Sequence, residues 1–141
     1  MFDLDGVLAN ATSRQHLVKG PRPDWGAFFA AAADDSPISE VTALLGLLVP
    51  DLAIILLTAR PAYIAAITID WLGRHALRWD LLVMRRDGDR RPARHFKQEA
   101  VRDIRAHGFE LRLCFEDDLR NVEMFRSEGV PALYVHSGYY D

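Results

Sequence analysis

Four short apolar runs, LAIILLT at 52–58, DLLVM at 80–84, LRLCF at 111–115 and ALYVH at 132–136, recur along the chain with helical periodicity between them. Continuous runs of this length suit strands covered on both faces. Alternation of such strands with helices commits a chain to a parallel α/β sheet. The opening segment MFDLDG supplies a fifth, very short strand. Between the runs, Pro61 starts a helix with Ile64, Ile67, Trp71 and Leu72 on one stripe. FKQEAVRDIRAHG turns Phe96, Ala100, Val101 and Ile104 inward and stops at Gly108, and DLRNVEMFRSEG stops at Gly129. The expectation is one α/β domain over residues 1–141, with five parallel strands and helices on both faces.

Residues 10–50 are the only insertion-sized segment. Residues 10–23, punctuated by Gly20, Pro21 and Pro23, read as a loop. DWGAFFAAAADD reads as a short helix capped by Asp24. In SPISEVTALLGLLV, Ser36 is expected as N-cap and Pro37 as first helical residue, with Val41, Leu44, Leu45 and Leu48 on one face. Trp25, Phe28 and Phe29 are expected to cover the core rather than to stack on bases.

Composition removes several function classes. The net charge of −3 argues against a broad basic face for nucleic acid, though not against a local one. A lone cysteine, Cys114, excludes an internal disulfide or cysteine metal site and reads as a buried strand residue. The five histidines show no ligand spacing. No apolar run approaches the ~18 residues of a membrane span, so no membrane partner and a cytoplasmic location are expected.

Chemistry collects at the carboxyl ends of the expected strands, where open α/β sheets bind ligands. Asp3 and Asp5, at i and i+2, aim two carboxylates at one volume and are followed by Gly6. Such a pair needs a cation, a shared proton or an outlet to water. The second strand ends in Thr58 and Arg60, the third in Arg85 and Arg86, the fourth in Glu116, Asp117 and Asp118; Lys97 stands near the start of the helix before the fourth. Acids from separate segments beside a hydroxyl and several cations suit phosphoryl transfer: a hard divalent cation takes oxygen ligands, and a transferring phosphoryl group takes positive charge and fixed donors.

FDLDGVLAN, LLTAR, Lys97 and FEDDLRN, in that order, resemble the four motifs of the haloacid dehalogenase superfamily of phosphatases. VMRRDGDRRPARHFK resembles M-R-x-x-G-D-x-R…K of the phosphatase domain of bacteriophage-type polynucleotide kinases, and FEDDLRNVEMF resembles that domain's acidic segment. The resemblance implies a Rossmann-like sheet in the order 3-2-1-4-5 with a minimal cap drawn from residues 10–50. It makes Asp3 the nucleophile that becomes an aspartyl phosphate. Asp5 would protonate the leaving alkoxide and then activate water. The Asp3 side chain, the Asp5 carbonyl and Asp117 would hold Mg²⁺. Asp118 takes the place of Asp117 if the loop is shifted by one residue, and Glu116 is the other member of the acidic pair. Thr58 would donate to a phosphoryl oxygen, Lys97 would neutralise charge, Asn121 would orient the metal shell, and Gly6 belongs to the first motif.

The window 85–97 holds Arg85, Arg86, Arg90, Arg91, Arg94 and Lys97 against Asp87 and Asp89. Arg85 and Arg90, with Arg60, are the expected substrate-phosphate contacts. The leading reading is a Mg²⁺-dependent phosphomonoesterase acting on a nucleotide or a polynucleotide 3′-phosphate end. The kinase of such bifunctional enzymes needs a P-loop, and none is present here, so any kinase activity is expected on another chain or on a missing segment, a separate kinase or ligase partner being one form of this. A promiscuous small-molecule phosphatase or nucleotidase is the alternative. A receiver-like phospho-acceptor fits less well, because its aspartate ends the third strand, which here ends in arginines. A binding domain without catalysis fits poorly with a full set of catalytic residue types.

Overall fold

The computed structural model describes residues 1–141. Elements follow in the order β1 (Ala9–Asn10), α1 (Trp25–Ala30), β2 (Ser36–Pro37), α2 (Ser39–Leu47), β3 (Ile55–Pro61), α3 (Ala65–Arg74), β4 (Leu81–Arg85), α4 (Ala93–Ala106), β5 (Cys114–Glu116), α5 (Leu119–Ser127) and β6 (Ala132–Tyr134). Short 3-10 turns lie at Thr12–Leu17, Ala31–Asp34 and Ala62–Ile64.

The expected five-stranded sheet is replaced by three two-stranded ladders: β1 with β2 antiparallel, β3 with β4 parallel and β5 with β6 parallel. The opening segment supplies one bridging residue in place of a strand. Phe2 forms parallel bridges to Leu56 and Phe115, with Phe2 N donating to Ile55 O at 2.9 Å and Asp3 N to Phe115 O at 3.0 Å. Just past it, the amides of Val7, Leu8 and Ala9 all donate to Leu4 O, so the chain coils away before a ladder can extend.

The two-residue period of β3 organises the core. Ile55 and Leu57 join Phe96, Val101 and Ile104 of α4 and Val122 and Phe125 of α5. Leu56 points the other way, into a cluster with Leu4, Leu8, Val41, Leu45, Trp71 and Leu72 under α2 and α3. Helices therefore cover both faces, as the apolar runs imply. The inward set expected for α4 is buried throughout, and Cys114 is buried in β5.

Local differences have local causes. Residues 10–23 are not a plain loop: Thr12–Leu17 is 3-10, pinned by the buried side chain of Arg14. Ser36 and Pro37 do not start α2. They pair with Asn10 and Ala9, and α2 begins at Ser39 without a side-chain cap. Pro61 closes β3, its φ of −70° and ψ of 150° being extended, so the helix starts after it. β5 is shorter than LRLCF because Leu111 to Leu113 lie outside its ladder. Asp24 caps α1 as expected, accepting from Ala27 N at 2.8 Å. Of the three aromatics expected to cover the core, only Phe28 is buried.

Candidate active site

Asp3 leaves the bridge at Phe2 beside the carboxyl ends of β3 and β5. Lys97, in the second turn of α4, reaches it there: Lys97 Nζ lies 2.8 Å from Asp3 Oδ2 and 2.7 Å from Glu116 Oε2. Asp3 Oδ1 accepts from Leu4 N at 2.8 Å. Glu116 ends β5, and its Oε1 accepts from the amides of Asp117 and Asp118, each at 3.1 Å. Asp118 caps α5, taking Arg120 N at 2.9 Å and the Arg120 guanidinium at 2.9 Å. Asp117 differs from both neighbours. Its two carboxylate oxygens are buried and make no well-formed hydrogen bond, Ser137 alone standing near enough to relieve them slightly, and Asn121 Oδ1 is likewise unpartnered across the first turn of α5.

Counting charges shows what this arrangement lacks. Asp3, Glu116 and Asp117 offer ligand oxygens within 4.8 Å of one another, and only Lys97 among them is cationic. Burial, and then the charge of Glu116 and Asp5 against that of Lys97, pushes Asp3 up to about 7. Burial, with Asp3 and Glu116 beside it, pushes Asp117 up to about 9. Burial works against the Lys97 ammonium, but Asp3 and Glu116 outweigh it and raise its pKa. Three carboxylates around one ammonium are two positive charges short, and orphaned oxygens are the costliest part of that deficit. A hard divalent cation with oxygen ligands supplies both needs, so the residues fit one.

Asp5 sits in a different electrostatic setting. Its Oδ1 takes Arg14 NH2 at 2.6 Å and Arg60 NH2 at 2.5 Å, and both guanidinium groups also bind Asp35, at 2.6 Å and 3.2 Å. Arg14, Arg60 and Asp35 are almost wholly buried, while the Asp5 side chain keeps 22% exposure. The rest of the network is anchored: Arg14 NH1 reaches Phe28 O, Arg60 NH1 reaches Thr68 Oγ1, and Trp71 Nε1 donates to Asp35 O at 2.7 Å. Burial would raise the Asp5 pKa, but Arg60 and Arg14 overcome it and hold the carboxyl below its usual range.

Thr58 does not end its strand as expected but lies within β3, where the register with β4 breaks, and it is buried there with its Oγ1 accepting from Arg60 N at 3.2 Å. Thr58, Asp3, Asp5 and Arg60 line one cavity of about 1080 Å³, together with Arg85 and Arg90. Arg85 is turned to the loop carbonyls of Asp89 and Arg91 and leaves its Nε buried without a partner. Arg91 is held by Asp89 and Glu99. Gly6 has φ +81°, and a Cβ there would collide with Asp117 Oδ2. The site therefore brings together Asp3, Gly6, Lys97, Glu116, Asp117 and Asn121 in one group, with Asp5 and Arg60 in a second. Asp118 is engaged as a helix cap.

Arg14 and Asp35 escape a reading of the sequence. Neither lies in a motif or on a periodic face, and their burial arises from the Arg14–Asp5–Arg60–Asp35 pairing itself. An arginine nine residues after Asp5, in a segment with little else to bury, is the one available hint. Tyr139 and Tyr140 also reach the cavity, from a C-terminal stretch that carries no pattern.

Similarity to known proteins places the chain in a family. The family described as "Polynucleotide kinase PNKP phosphatase domain" matches residues 1–140. A chain from "Structure of Pnkp1/Rnl/Hen1 complex" is similar with a TM-score of 0.78 and 25% identity, over 96% of this chain and 44% of that one. A chain from "Structure of the Pnkp1/Rnl/Hen1 RNA repair complex" is similar with a TM-score of 0.77 and 25% identity, over 96% and 41% respectively. The chain thus spans less than half the length of the solved chains it resembles. No curated protein matches significantly. The chain belongs to the polynucleotide kinase phosphatase domain family of the haloacid dehalogenase superfamily, and it is a phosphatase.

Proposed function

We propose that the chain removes a terminal 3′-phosphate from a polynucleotide through an aspartyl-phosphate intermediate on Asp3, with Mg²⁺ held by Asp3, the Asp5 carbonyl and Asp117. The observation that carries the reading is the pair of partnerless, buried Asp117 oxygens beside Asp3. Both oxygens of Asp118 accept hydrogen bonds, which favours Asp117 as the ligand. Glu116 is occupied by Lys97 and two amides and acts as the brace that sets the loop. When bound, the cation keeps Asp3 ionised and offsets charge on the phosphoryl oxygens.

In the first half-reaction an Asp3 oxygen bonds to phosphorus as the ester P–O bond breaks, and the departing alkoxide takes the proton of Asp5. In the second, Asp5 takes a proton from water, whose oxygen bonds to phosphorus as the Asp3 O–P bond breaks, giving inorganic phosphate. Thr58 and Lys97 donate to the phosphoryl oxygens. The two arginines favour the ionised form of Asp5, which is the form the second step uses. For the first step Asp5 must carry a proton, which its Oδ2 can hold because both arginines bind Oδ1, and Asp35 keeps those arginines charge-paired while it does. Of the three arginines expected to contact the substrate phosphate, only Arg90 stays uncommitted; every guanidinium nitrogen of buried Arg60 is spent on Asp5, Asp35 or Thr68, and Arg85 is turned to the carbonyls of Asp89 and Arg91.

One of the similar solved chains comes from an RNA repair complex, and the same setting, with a separate kinase or ligase partner and an RNA end as substrate, is the one proposed here. The test is phosphate release from a 3′-phosphorylated oligonucleotide beside a 5′-phosphorylated one, mononucleotides and an aryl phosphate, each with Mg²⁺, with EDTA and with Asp3→Asn. Metal- and Asp3-dependent release that favours the 3′-end is expected. Equal, slow turnover of every ester would replace the reading with a general phosphatase.

A further inference from the structure

Along one wall of the cavity stands a row of aromatic side chains that the chemistry above does not use. Trp25 and Tyr63 expose 52% and 61% of their surfaces. Phe29 lies between them, 5.9 Å from Trp25 with ring planes 29° apart and 6.5 Å from Tyr63 edge-on. All three line the cavity that holds Asp3 and Thr58. The row is rigidly backed: Asp24 caps α1, and buried Phe28 packs edge-on to both Trp25 and Phe29, with the Arg14 guanidinium 4.2 Å over its ring. Large aromatic faces left in water gain nothing for the core, and beside a polar site they are surface for a ligand.

The loop 86–94 lines the same cavity, and its cations differ in how committed they are. Arg91 is bound by Asp89 and Glu99, whereas Arg86 and Arg90 form no ion pair. Flat π faces and uncommitted cations in one cleft, continuous with a phosphoryl-transfer site, match single-stranded nucleic acid, whose bases stack without regard to sequence and whose backbone takes the cations.

We propose that Trp25, Phe29 and Tyr63 form a stacking platform for the last bases of a single-stranded end whose phosphate reaches Asp3, with Arg86 and Arg90 on the internucleotide phosphates. This deepens the polynucleotide-end reading and rests on it. An open cleft alone would admit any phosphate ester; the platform makes the enzyme prefer an end that carries bases.

The test uses the full chain with Mg²⁺ and two substrates. One is a 3′-phosphorylated single-stranded oligonucleotide; the other is the same strand without bases at its last two nucleotides. The readout is the ratio of kcat/KM for the base-bearing strand to that for the abasic strand. The ratio is well above one in the unsubstituted protein; it falls about fivefold or more in Trp25→Ala and stays within about twofold in Trp25→Phe. A ratio near one at the outset, or one that Trp25→Ala leaves unmoved, overturns the platform while both strands are still hydrolysed. If the unsubstituted protein releases phosphate from a mononucleotide or glycerol phosphate but from neither strand, the polynucleotide-end reading itself fails and takes the platform with it.

Discussion

Lys97 Nζ, 2.8 Å from Asp3 Oδ2, is the only cation in contact with Asp3, and the same ammonium is shared with Glu116 at 2.7 Å. One buried positive charge thus serves two carboxylates that would otherwise repel each other. It also fixes α4 against the ends of the opening segment and β5, so the contact proposed to serve catalysis is also a packing contact.

Replacing Lys97 with methionine keeps the volume and removes the charge. Breaking a buried ion pair leaves uncompensated charge and costs about 3–5 kcal/mol. The expected result in urea unfolding at neutral pH is a loss of that size, which shrinks on acidification as the orphaned carboxyls take up protons. Phosphate release falls by at least about a hundredfold. A stability change below 1 kcal/mol, set roughly against that scale, would show the contact to be water-filled.

Asp117, pushed up to about 9, and Asp3, pushed up to about 7, make stability in chelator depend on pH. The folded chain keeps protons there that the unfolded chain gives up near the ordinary carboxyl value of 3.8. Stability present at low pH is therefore lost as pH rises toward about 9. Melting temperature in EDTA falls across this range, and the increment added by Mg²⁺ widens with pH. Asp117→Asn raises the melting temperature in EDTA, flattens its slope and abolishes metal-dependent turnover. An increment that narrows as pH rises would contradict the assignment.

Gly6→Ala tests the close approach of the first motif to Asp117, the proposed metal ligand. A side chain at φ +81° costs about 1–2 kcal/mol, and its Cβ displaces Asp117. Turnover drops at least about a hundredfold while the fold survives, read by kinetics and circular dichroism on the same preparation. An alanine variant with undiminished turnover would separate Gly6 from the site.

Asp35→Ala leaves Arg14 and Arg60 facing Asp5 alone, one positive charge in excess in a buried pocket. Denaturant midpoints are expected to report a loss of about 3–5 kcal/mol. Asp35→Asn, which keeps hydrogen-bond acceptance, loses less. Equal losses from both variants would mean that the pocket responds to shape and not to charge.

What the sequence discloses follows how local each feature is. The inward face of α4 and the two-sided burial of β3 rest on periodicity and are legible from residues alone. The carboxylate motifs are legible because spacing places them at strand ends, and Lys97 because it stands near the start of the helix that leads to one of them. The Arg14–Asp35 pairing, by contrast, joins residues 21 apart through a shared contact with Asp5, and no period announces it. Ser36 and Pro37 read as a helix start because their chemistry fits one, yet pairing with Ala9 and Asn10 outweighs that preference. Trp25 reads as core by composition, and its exposure is decided by where α1 meets the cavity.

The most direct measurement mixes the full chain and Mg²⁺ with an oligonucleotide carrying a ³²P-labelled 3′-phosphate, quenches in acid within a single turnover and maps the label. The aspartyl-phosphate mechanism predicts transient, alkali-labile ³²P on Asp3 and none on Asp3→Asn. Phosphate released at full rate with no labelled protein, or label on another residue, would contradict it.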